Sequence, residues 1–301
     1  MKIGIIDIGS NTIKAFIYEC NPDLSIITSI DQEIVHAKLM NFIMSDELNK
    51  SGIEVLDTSI GILLNFLHNK GVTTIYTFAT EAMRNSHNAH EVCTEIEKKY
   101  NINIDILNGK AEALCDFLSL DFFNDKSDII GTDMGGGSIQ IFYSMNNNLD
   151  YYESFPLGAL KMKNKFVKNE FPTSEECHDI SIYTKEKLSP INNNITTKYE
   201  VLNVMGGNNV TLKKIFKSSS INIDRKIFHL NDLYDLKQKL NKMNNLYEFL
   251  TKYASGRQYA IMPGLEVLIN ICEYTNIDRL NILDCGVREG YLLMKHKNSK
   301  I

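Results

Sequence analysis

Two short stretches of the chain combine residue types and spacings that suit phosphate chemistry. They are IGIIDIGSNTIKAF at positions 3–16 and IIGTDMGGGSIQIF at positions 129–142. In each, an apolar run leads into Asp-x-Gly, a serine follows, and a second apolar run begins. The residues that we match are Asp7 with Asp133, Gly9 with Gly135, and Ser10 with Ser138, the second stretch having two extra glycines.

Glycines inside a strand pattern weaken the strand, so these turns need a reason. A turn without Cβ atoms exposes its backbone N–H groups, and successive N–H groups that point the same way bind anions. Asp7 and Asp133 are carboxylates that can hold Mg²⁺ beside a bound phosphate. The alternative is a pair of glycine-rich hairpins that bind nothing, and two matching turns argue against it.

The bulk composition is that of an ordinary globular protein with two domains. The chain has 301 residues, 44% of them hydrophobic and 23% charged. Its net charge of −5 argues against a general nucleic-acid binder but allows an anionic substrate in a local pocket. The six cysteines form no Cys-x-x-Cys pair, so we predict buried free thiols rather than a zinc site or disulfides.

No segment has the pattern of a membrane span or a signal peptide. The longest apolar stretch, Ile60 to Leu67, is too short to cross a bilayer, and the first apolar run is interrupted by Asp7. We therefore expect a cytoplasmic protein that does not bind membranes.

Strand and helix patterns alternate along the chain, which predicts α/β domains with parallel strands. The predicted strands cover 3–8, 12–18, 24–35, 72–78, 102–107, 129–142 as a hairpin, 151–155, 201–205 and 280–284. The predicted helices cover 51–69, Thr80 to about Tyr100, 109–120, 158–168 and 174–188, and the last third is mostly helical. A linker at 122–128 separates a domain of residues 1–126 from one of residues 127–301, and 192–197 is a polar loop.

Blocks along almost the whole chain resemble the exopolyphosphatase/guanosine pentaphosphate phosphatase (Ppx/GppA) family. The blocks are DIGSNTIK (7–14), FATEAMRNSHN (78–88), LNGKAEA (107–113), DMGGGSIQ (133–140), SFPLGALKM (154–162), MGGNNVTL (205–212), GRQYAIMPG (256–264) and CGVREG (285–290). The resemblance implies two ribonuclease H-like α/β domains of the actin/hexokinase/Hsp70 superfamily, with a cleft between them.

The resemblance also implies roles for individual residues. Glu112, in the Gly-x-x-Glu-Ala block, is the catalytic residue that positions or activates the attacking water. The implied substrate-binding residues are Gly9, Ser10, Asn11, Thr12, Arg84, Gly135, Gly136, Gly137, Ser138, Gly206, Gly207 and Asn208. The implied ligands of Mg²⁺ are Asp7, Asp133 and Gln140.

Several of these residues also have an alternative interpretation in which they take no part in catalysis or binding. Glu112 can be a solvated acid in the first turn of a helix, where acids are favoured anyway. Arg84 can form a surface ion pair with Glu81, one turn earlier. Arg288 and Glu289 are interpreted as structural residues that tie the last strand to the preceding helix.

The chain departs from the family pattern at two points. The glycine block, normally Gly-Gly-Gly-Ser-Thr-Glu, here ends in Ile139 and Gln140, and a glutamine contributes no negative charge to a metal. Longer members continue into a helical region with an HD-type fold, and the resemblance implies a short form without that region.

Together these features predict a Mg²⁺-dependent phosphoanhydride hydrolase. Its substrate would be inorganic polyphosphate, guanosine pentaphosphate or both, and the resemblance implies a homodimer. One alternative is a catalytically weak sensor of the same fold that binds polyphosphate or guanosine phosphates. The other is a kinase or ATPase of the wider superfamily, which would need a convincing adenosine pocket.

Overall fold

A computed structural model describes residues 1–123, 128–146, 148–191, 199–221 and 226–298 of the chain. The strands are β1 (Lys2–Ile8), β2 (Ile13–Cys20), β3 (Ile27–Val35), β4 (Ile43–Met44), β5 (Glu47–Leu48), β6 (Thr74–Ala79), β7 (Ile104–Ile106), β8 (Ile129–Met134), β9 (Ile139–Met145), β10 (Asn148–Phe155), β11 (Leu202–Met205), β12 (Ile227–His229) and β13 (Arg279–Ile282). The helices are α1 (Lys50–Asn69), α2 (Glu81–Arg84), α3 (Ala89–Tyr100), α4 (Gly109–Phe123), α5 (Ala159–Phe166), α6 (Ser174–Leu188), α7 (Gly207–Ser218), α8 (Leu230–Asn241), α9 (Leu246–Tyr253), α10 (Ile261–Thr275) and α11 (Val287–Asn298). A 3₁₀ helix spans Leu39–Phe42.

The chain divides into two compact units. The first comprises Met1–Leu118 together with the segment from Val287 onward, and the second comprises Ser119–Gly286. The sequence predicted a single boundary between residues 126 and 127, a position that falls outside the described residues, as does the predicted polar loop at 192–197. The units differ from that prediction because α11 belongs to the first unit.

The first unit is built on a five-stranded sheet in the order β3-β2-β1-β6-β7. β1 and β2 are antiparallel neighbours, whereas β1, β6 and β7 run parallel, so a helical crossover must connect β2 and β3 back to β6. α1 is part of that crossover. Its N-terminus is capped by Asn49, whose side chain accepts a hydrogen bond from Gly52 N at 2.9 Å. One apolar face of α1 is buried: Leu56, Ile60, Leu63, Leu64 and Leu67.

The second unit repeats this plan with a six-stranded sheet in the order β10-β9-β8-β11-β13-β12. β8 and β9 form an antiparallel pair, and β8, β11 and β13 run parallel. α10 is the central helix of this unit and is buried along almost its whole length, which explains why most of its residues are apolar. Parallel strands alternating with helices confirm the predicted α/β class.

The predicted helix from Thr80 to Tyr100 is wrong, because the structure has two helices there, α2 and α3. The break at 85–88 is set by a contact distant in sequence. Asn88 accepts a hydrogen bond from Leu48 N at 3.0 Å and donates one to Leu48 O at 2.9 Å, which fixes the residue before α3. Thr80 makes no side-chain capping bond. The C-terminal part also has two strands, β12 and β13, where one was predicted.

Burial keeps the cysteine thiols away from solvent and in the protonated form. All six cysteines are buried and free, as predicted. Burial raises the pKa of the Cys93, Cys115, Cys177 and Cys272 thiols, so these groups stay protonated and inert.

Among the described residues, no helix combines the length and apolar composition that crossing a membrane requires.

α11 is attached to β2 through two side chains at its N-terminus. Glu289 accepts a hydrogen bond from the Tyr18 hydroxyl at 2.5 Å, and the Arg288 guanidinium lies 3.7 Å from the centre of the Phe16 ring. These contacts agree with the interpretation of Arg288 and Glu289 as structural residues, and they add β2 as a partner. Burial raises the pKa of Tyr18 well above its ordinary value, so the hydroxyl remains a donor.

Replacing Tyr18 with Phe should destabilise the first unit, because the change removes a hydrogen bond to a buried carboxylate. We expect a loss of about 2 kcal/mol in the free energy of unfolding, measured by urea denaturation. Tyr76→Phe is the matched control, since no hydrogen bond is described for the Tyr76 hydroxyl. Equal midpoints for the two variants would contradict a role for this bond in attaching α11.

Candidate functional site

Each unit contains a four-residue turn between its first two strands, and the two turns have the same length. Gly9 N donates to Thr12 O at 3.1 Å, and Gly135 N donates to Ser138 O at 3.0 Å. The structural counterpart of Ser138 is therefore Thr12. Matching Ser138 with Ser10 and assigning two extra glycines to the second stretch was wrong, because the strand register fixes where each turn ends.

The strand register also places a polar residue opposite each aspartate. Lys14 lies opposite Asp7 on neighbouring strands, and Gln140 lies opposite Asp133. Directly opposed side chains of an antiparallel pair are close enough to interact. Sequence reasoning missed Lys14 as a candidate, although its place in the first block, mirrored by Gln140 in the second, was the available signal.

The glycine turn of the second unit directs its carbonyls toward α5. The N–H groups of Gly158, Ala159 and Lys161 donate to the carbonyls of Gly137, Gly135 and Gly136 at 3.0, 3.1 and 2.9 Å, respectively. In contrast, the N–H groups of Gly136, Gly137 and Ser138 donate to no residue that the structure describes. Three successive N–H donors without an internal acceptor are suited to a bound anion.

Gly158 is required by this arrangement. A Cβ atom on Gly158 would lie 2.3 Å from the Gly137 carbonyl carbon and 2.4 Å from Gly137 N, which are fixed backbone atoms. The sequence block at 154–162, which contains Gly158, thus brings the start of α5 against the glycine turn.

The turn of the first unit is held in a similar way by the segment that follows β3. Met40 N donates to Ser10 O at 3.1 Å, and Lys38 N donates to Asn11 O at 2.9 Å. Within the described part of the chain, the N–H groups of Ser10 and Thr12 have no acceptor. Both side chains are buried, so the turn is a constrained element.

A second glycine turn lies beside Asp133 in the second unit. Gly206 has φ of 94°, a conformation that glycine adopts easily, and it precedes α7. A Cβ atom at this position would lie 2.3 Å from Asp133 Oδ1. The carboxylate of Asp133 therefore lies directly against the start of α7, where Gly207 and Asn208 contribute N–H groups of the first helical turn.

The Asn208 side chain faces the interior of the second unit. Asn208 Nδ2 donates to the sulfur of Met134 at 3.6 Å, and the residue is 4% exposed. Its backbone N–H, rather than its amide, is therefore the group suited to contact a ligand.

Gln140 is buried and holds two serine hydroxyls. Its Nε2 donates to Ser138 Oγ and to Ser154 Oγ, both at 3.0 Å. Because Ser138 Oγ accepts this bond, its own proton is directed elsewhere and can be donated to an anion at the turn. The carbonyl oxygen of Gln140 is the atom suited to a metal or to a metal-bound water.

Glu112 and Arg84 form an ion pair in the first unit. Arg84 Nη1 donates to Glu112 Oε2 at 2.8 Å and to Leu107 O at 2.9 Å. Glu112 is 8% exposed and lies in the first turn of α4, where Asn108 Oδ1 accepts a hydrogen bond from Ala111 N at 2.8 Å. The alternative of a solvated Glu112 is therefore wrong.

The same pair decides between the two interpretations of Arg84. The described ion-pair partner of Arg84 is Glu112, not Glu81 as the alternative had it. Both bonds leave from Nη1, so the N–H groups of Nε and Nη2 donate to none of the described residues. These groups form a fork that matches the geometry of a phosphate.

The donor chemistry near the turns fits Mg²⁺. In the described part of the chain, no three His, Cys, Asp or Glu side chains cluster as a protein-only metal cage would require. Mg²⁺ does not need such a cage, because it keeps several waters and binds one or two carboxylates together with substrate phosphates. Asp7 and Asp133, each at the end of a strand beside free N–H groups, are donors of this kind.

Comparisons with known proteins point to one family. A model of the Ppx/GppA phosphatase family matches residues 19–299. Exopolyphosphatase 1 of Mycobacterium leprae is 25% identical over 178 residues, which are 57% of this chain and 51% of that protein. The guanosine-5'-triphosphate,3'-diphosphate pyrophosphatase of Photobacterium profundum is 19% identical over 289 residues, covering 95% of this chain and 57% of that protein. The chain thus spans about half the length of these curated relatives.

A solved structure agrees over the whole chain. An exopolyphosphatase from Cytophaga hutchinsonii aligns with a TM-score of 0.86 and 18% identity, covering 99% of this chain and 98% of that one. At this identity the likeness concerns the fold, and it confirms the fold class predicted from the sequence.

Replacing Gly158 with Ala should disrupt the glycine turn, because the added methyl group cannot be accommodated against the Gly137 backbone. We expect a loss of more than about 2 kcal/mol in the stability of the second unit, measured by urea denaturation. Gly61→Ala in α1 is the control, since its methyl group would meet the movable Tyr100 hydroxyl. Wild-type stability of Gly158→Ala would contradict the close packing of α5 on the turn.

Proposed function

Because the chain belongs to the Ppx/GppA phosphatase family, we propose that it is a Mg²⁺-dependent phosphoanhydride hydrolase. Its substrate would be inorganic polyphosphate or guanosine pentaphosphate, from which it releases a terminal orthophosphate. The names of the matched relatives support this substrate class. The observation that carries the proposal is the buried ion pair between Glu112 and Arg84. This pair would orient the carboxylate to accept a proton from the attacking water.

Glu112 would act as the general base. Its carboxylate accepts a proton from a water molecule whose oxygen attacks the terminal phosphorus. The bond from that phosphorus to the bridging oxygen breaks, and the electron pair leaves with the shortened phosphate chain. Arg84 holds Glu112 through Nη1, while its Nε and Nη2 groups are available to the terminal phosphate.

The turns would supply phosphate binding. In the first unit, the N–H groups of Ser10 and Thr12 are the donors, and in the second unit those of Gly136, Gly137 and Ser138. Because the turns are fixed by hydrogen bonds to neighbouring segments, they need little reorganisation when an anion arrives. Positioning and charge neutralisation are the main sources of rate in phosphoryl transfer.

In the second unit Asp133 would hold Mg²⁺, with Gln140 contributing a carbonyl oxygen, and Asp7 is the carboxylate suited to the ion in the first unit. The ion, when bound, supplies positive charge that offsets the charge of the phosphates. A glutamine in place of an acid lowers the negative charge available to the ion, so we expect weaker Mg²⁺ binding than a glutamate would give.

A binding protein with little turnover is the second candidate. The observation in its favour is Gln140, whose amide is committed to two serine hydroxyls in a buried position where the family pattern has an acid. The Glu112–Arg84 pair favours the hydrolase, because a sensor has no need of a carboxylate held in this way.

The proposal is tested by measuring orthophosphate release with Mg²⁺ from medium-chain polyphosphate, guanosine pentaphosphate and ATP in parallel. We expect release from one of the first two substrates and a kcat at least about 100-fold lower for Glu112→Gln. Glu95→Gln, on the exposed side of α3, is the matched control and should retain activity. Equal rates for Glu112→Gln and the wild type would contradict the role of Glu112, and binding without release would favour the sensor.

Replacing Gln140 with Glu should strengthen Mg²⁺ dependence, because the change adds a carboxylate near Asp133. We expect the Mg²⁺ concentration for half-maximal activity to fall about tenfold. The measurement is a Mg²⁺ titration of the rate, with Mg²⁺ binding by calorimetry alongside it. Ser154→Ala is the control, because it removes one partner of Gln140 without adding charge. An unchanged Mg²⁺ titration in Gln140→Glu would rule out a place for residue 140 near the ion.

A further inference from the structure

Lys38 has a backbone conformation that ordinary residues avoid. Its φ is 50° and its ψ is 43°, in the left-handed region, immediately before the 3₁₀ helix at Leu39–Phe42. A residue with a Cβ atom adopts this region only when the surrounding structure compels it. The position therefore calls for an explanation, since glycine would fit with less strain.

The contacts of Lys38 show what holds it there. Its N–H donates to Asn11 O at 2.9 Å, and two residues later Met40 N donates to Ser10 O at 3.1 Å. The neighbours Ala37 and Leu39 are buried at 5% and 0% exposure, so the segment is anchored on both sides of Lys38. These contacts fix the backbone of Lys38 against the turn formed by Gly9 to Thr12.

The side chain of Lys38 is exposed and has no partner within the described part of the chain. Lys70 and Lys99 of the same unit contact Asp31 at 2.8 Å and Asp57 at 2.6 Å, respectively, whereas Lys50 and Lys98, like Lys38, have no described ion pair. What sets Lys38 apart is the fixed position of its backbone beside the turn. The turn beside Lys38 already offers the free N–H groups of Ser10 and Thr12. The backbone of Lys38 thus adjoins a set of anion donors, and its ammonium group has no partner within the described part of the chain.

We propose that Lys38 is a substrate-binding residue whose ammonium group contacts a phosphate of a polyanion held at the turn of the first unit. This inference rests on the proposed function and adds a residue that the sequence motifs did not identify. A lysine on its flexible four-carbon stem acts as a point charge, so it can follow successive phosphates of a chain without demanding one fixed geometry.

The test is Lys38→Gly, which removes the charge while keeping a residue suited to the left-handed backbone. We expect the KM for polyphosphate to rise about tenfold, with kcat within about a factor of two of the wild type. The salt dependence of KM should become shallower, because one cation fewer contacts the polyanion. The melting temperature should be no lower than that of the wild type, since strain at Lys38 is relieved.

Two further variants separate charge from backbone effects. Lys38→Arg keeps the charge and should retain the wild-type KM. Asn101→Gly relieves a similar left-handed residue, with φ of 53°, at the end of α3 and should leave KM unchanged. An unchanged KM and salt dependence in Lys38→Gly would overturn the inference and make Lys38 a solvated loop residue.

The experiment also distinguishes this inference from the proposed function. Activity of the wild type decides the hydrolase proposal, whereas the ratio of Lys38→Gly to wild type decides the role of Lys38. Should the wild type release no orthophosphate, calorimetric binding of polyphosphate to both proteins replaces the kinetic comparison. Absence of binding by the wild type would overturn both proposals together.

Discussion

One backbone hydrogen bond in each unit determines what the turn after the aspartate can do. Gly9 N to Thr12 O in the first unit, and Gly135 N to Ser138 O in the second, close loops of equal length between antiparallel strands. Neighbouring segments then bind the outward carbonyls, through Lys38 and Met40 in the first unit and through the start of α5 in the second. What remains in each turn is a group of N–H donors with fixed directions, the property that anion binding requires.

The ion pair of Glu112 and Arg84 orients a buried carboxylate in the first unit and leaves part of the guanidinium for an anion. Asn108 caps the start of α4 and so fixes the position of Glu112 in the first turn of that helix. Leu107 O and Glu112 Oε2 share the two protons of Arg84 Nη1, which leaves one edge of the guanidinium for an anion. A buried carboxylate of this kind costs free energy unless it is paired, and Arg84 supplies that pairing.

Local patterns in the sequence were enough to predict the strands of both hairpins and the helix α6. The structure shows that α6 also begins with a local interaction, the capping box of Thr173 and Glu176. Contacts between distant segments were not predictable, among them the bond of Asn88 to Leu48 that separates α2 from α3, and the return of α11 to β2. The glycines at 135–137 identified the second turn, but only the strand register showed that Thr12 is the counterpart of Ser138.

Amide NMR of the isotope-labelled protein tests most directly the proposal that the turn N–H groups bind phosphate. A titration with short-chain polyphosphate and Mg²⁺ should shift the amide signals of Ser10 and Thr12 in the first unit and of Gly136, Gly137 and Ser138 in the second, with saturation in each unit. Titration with chloride at equal ionic strength should leave them in place. Shifts confined to surface lysines, with these five amides unmoved, would contradict the account.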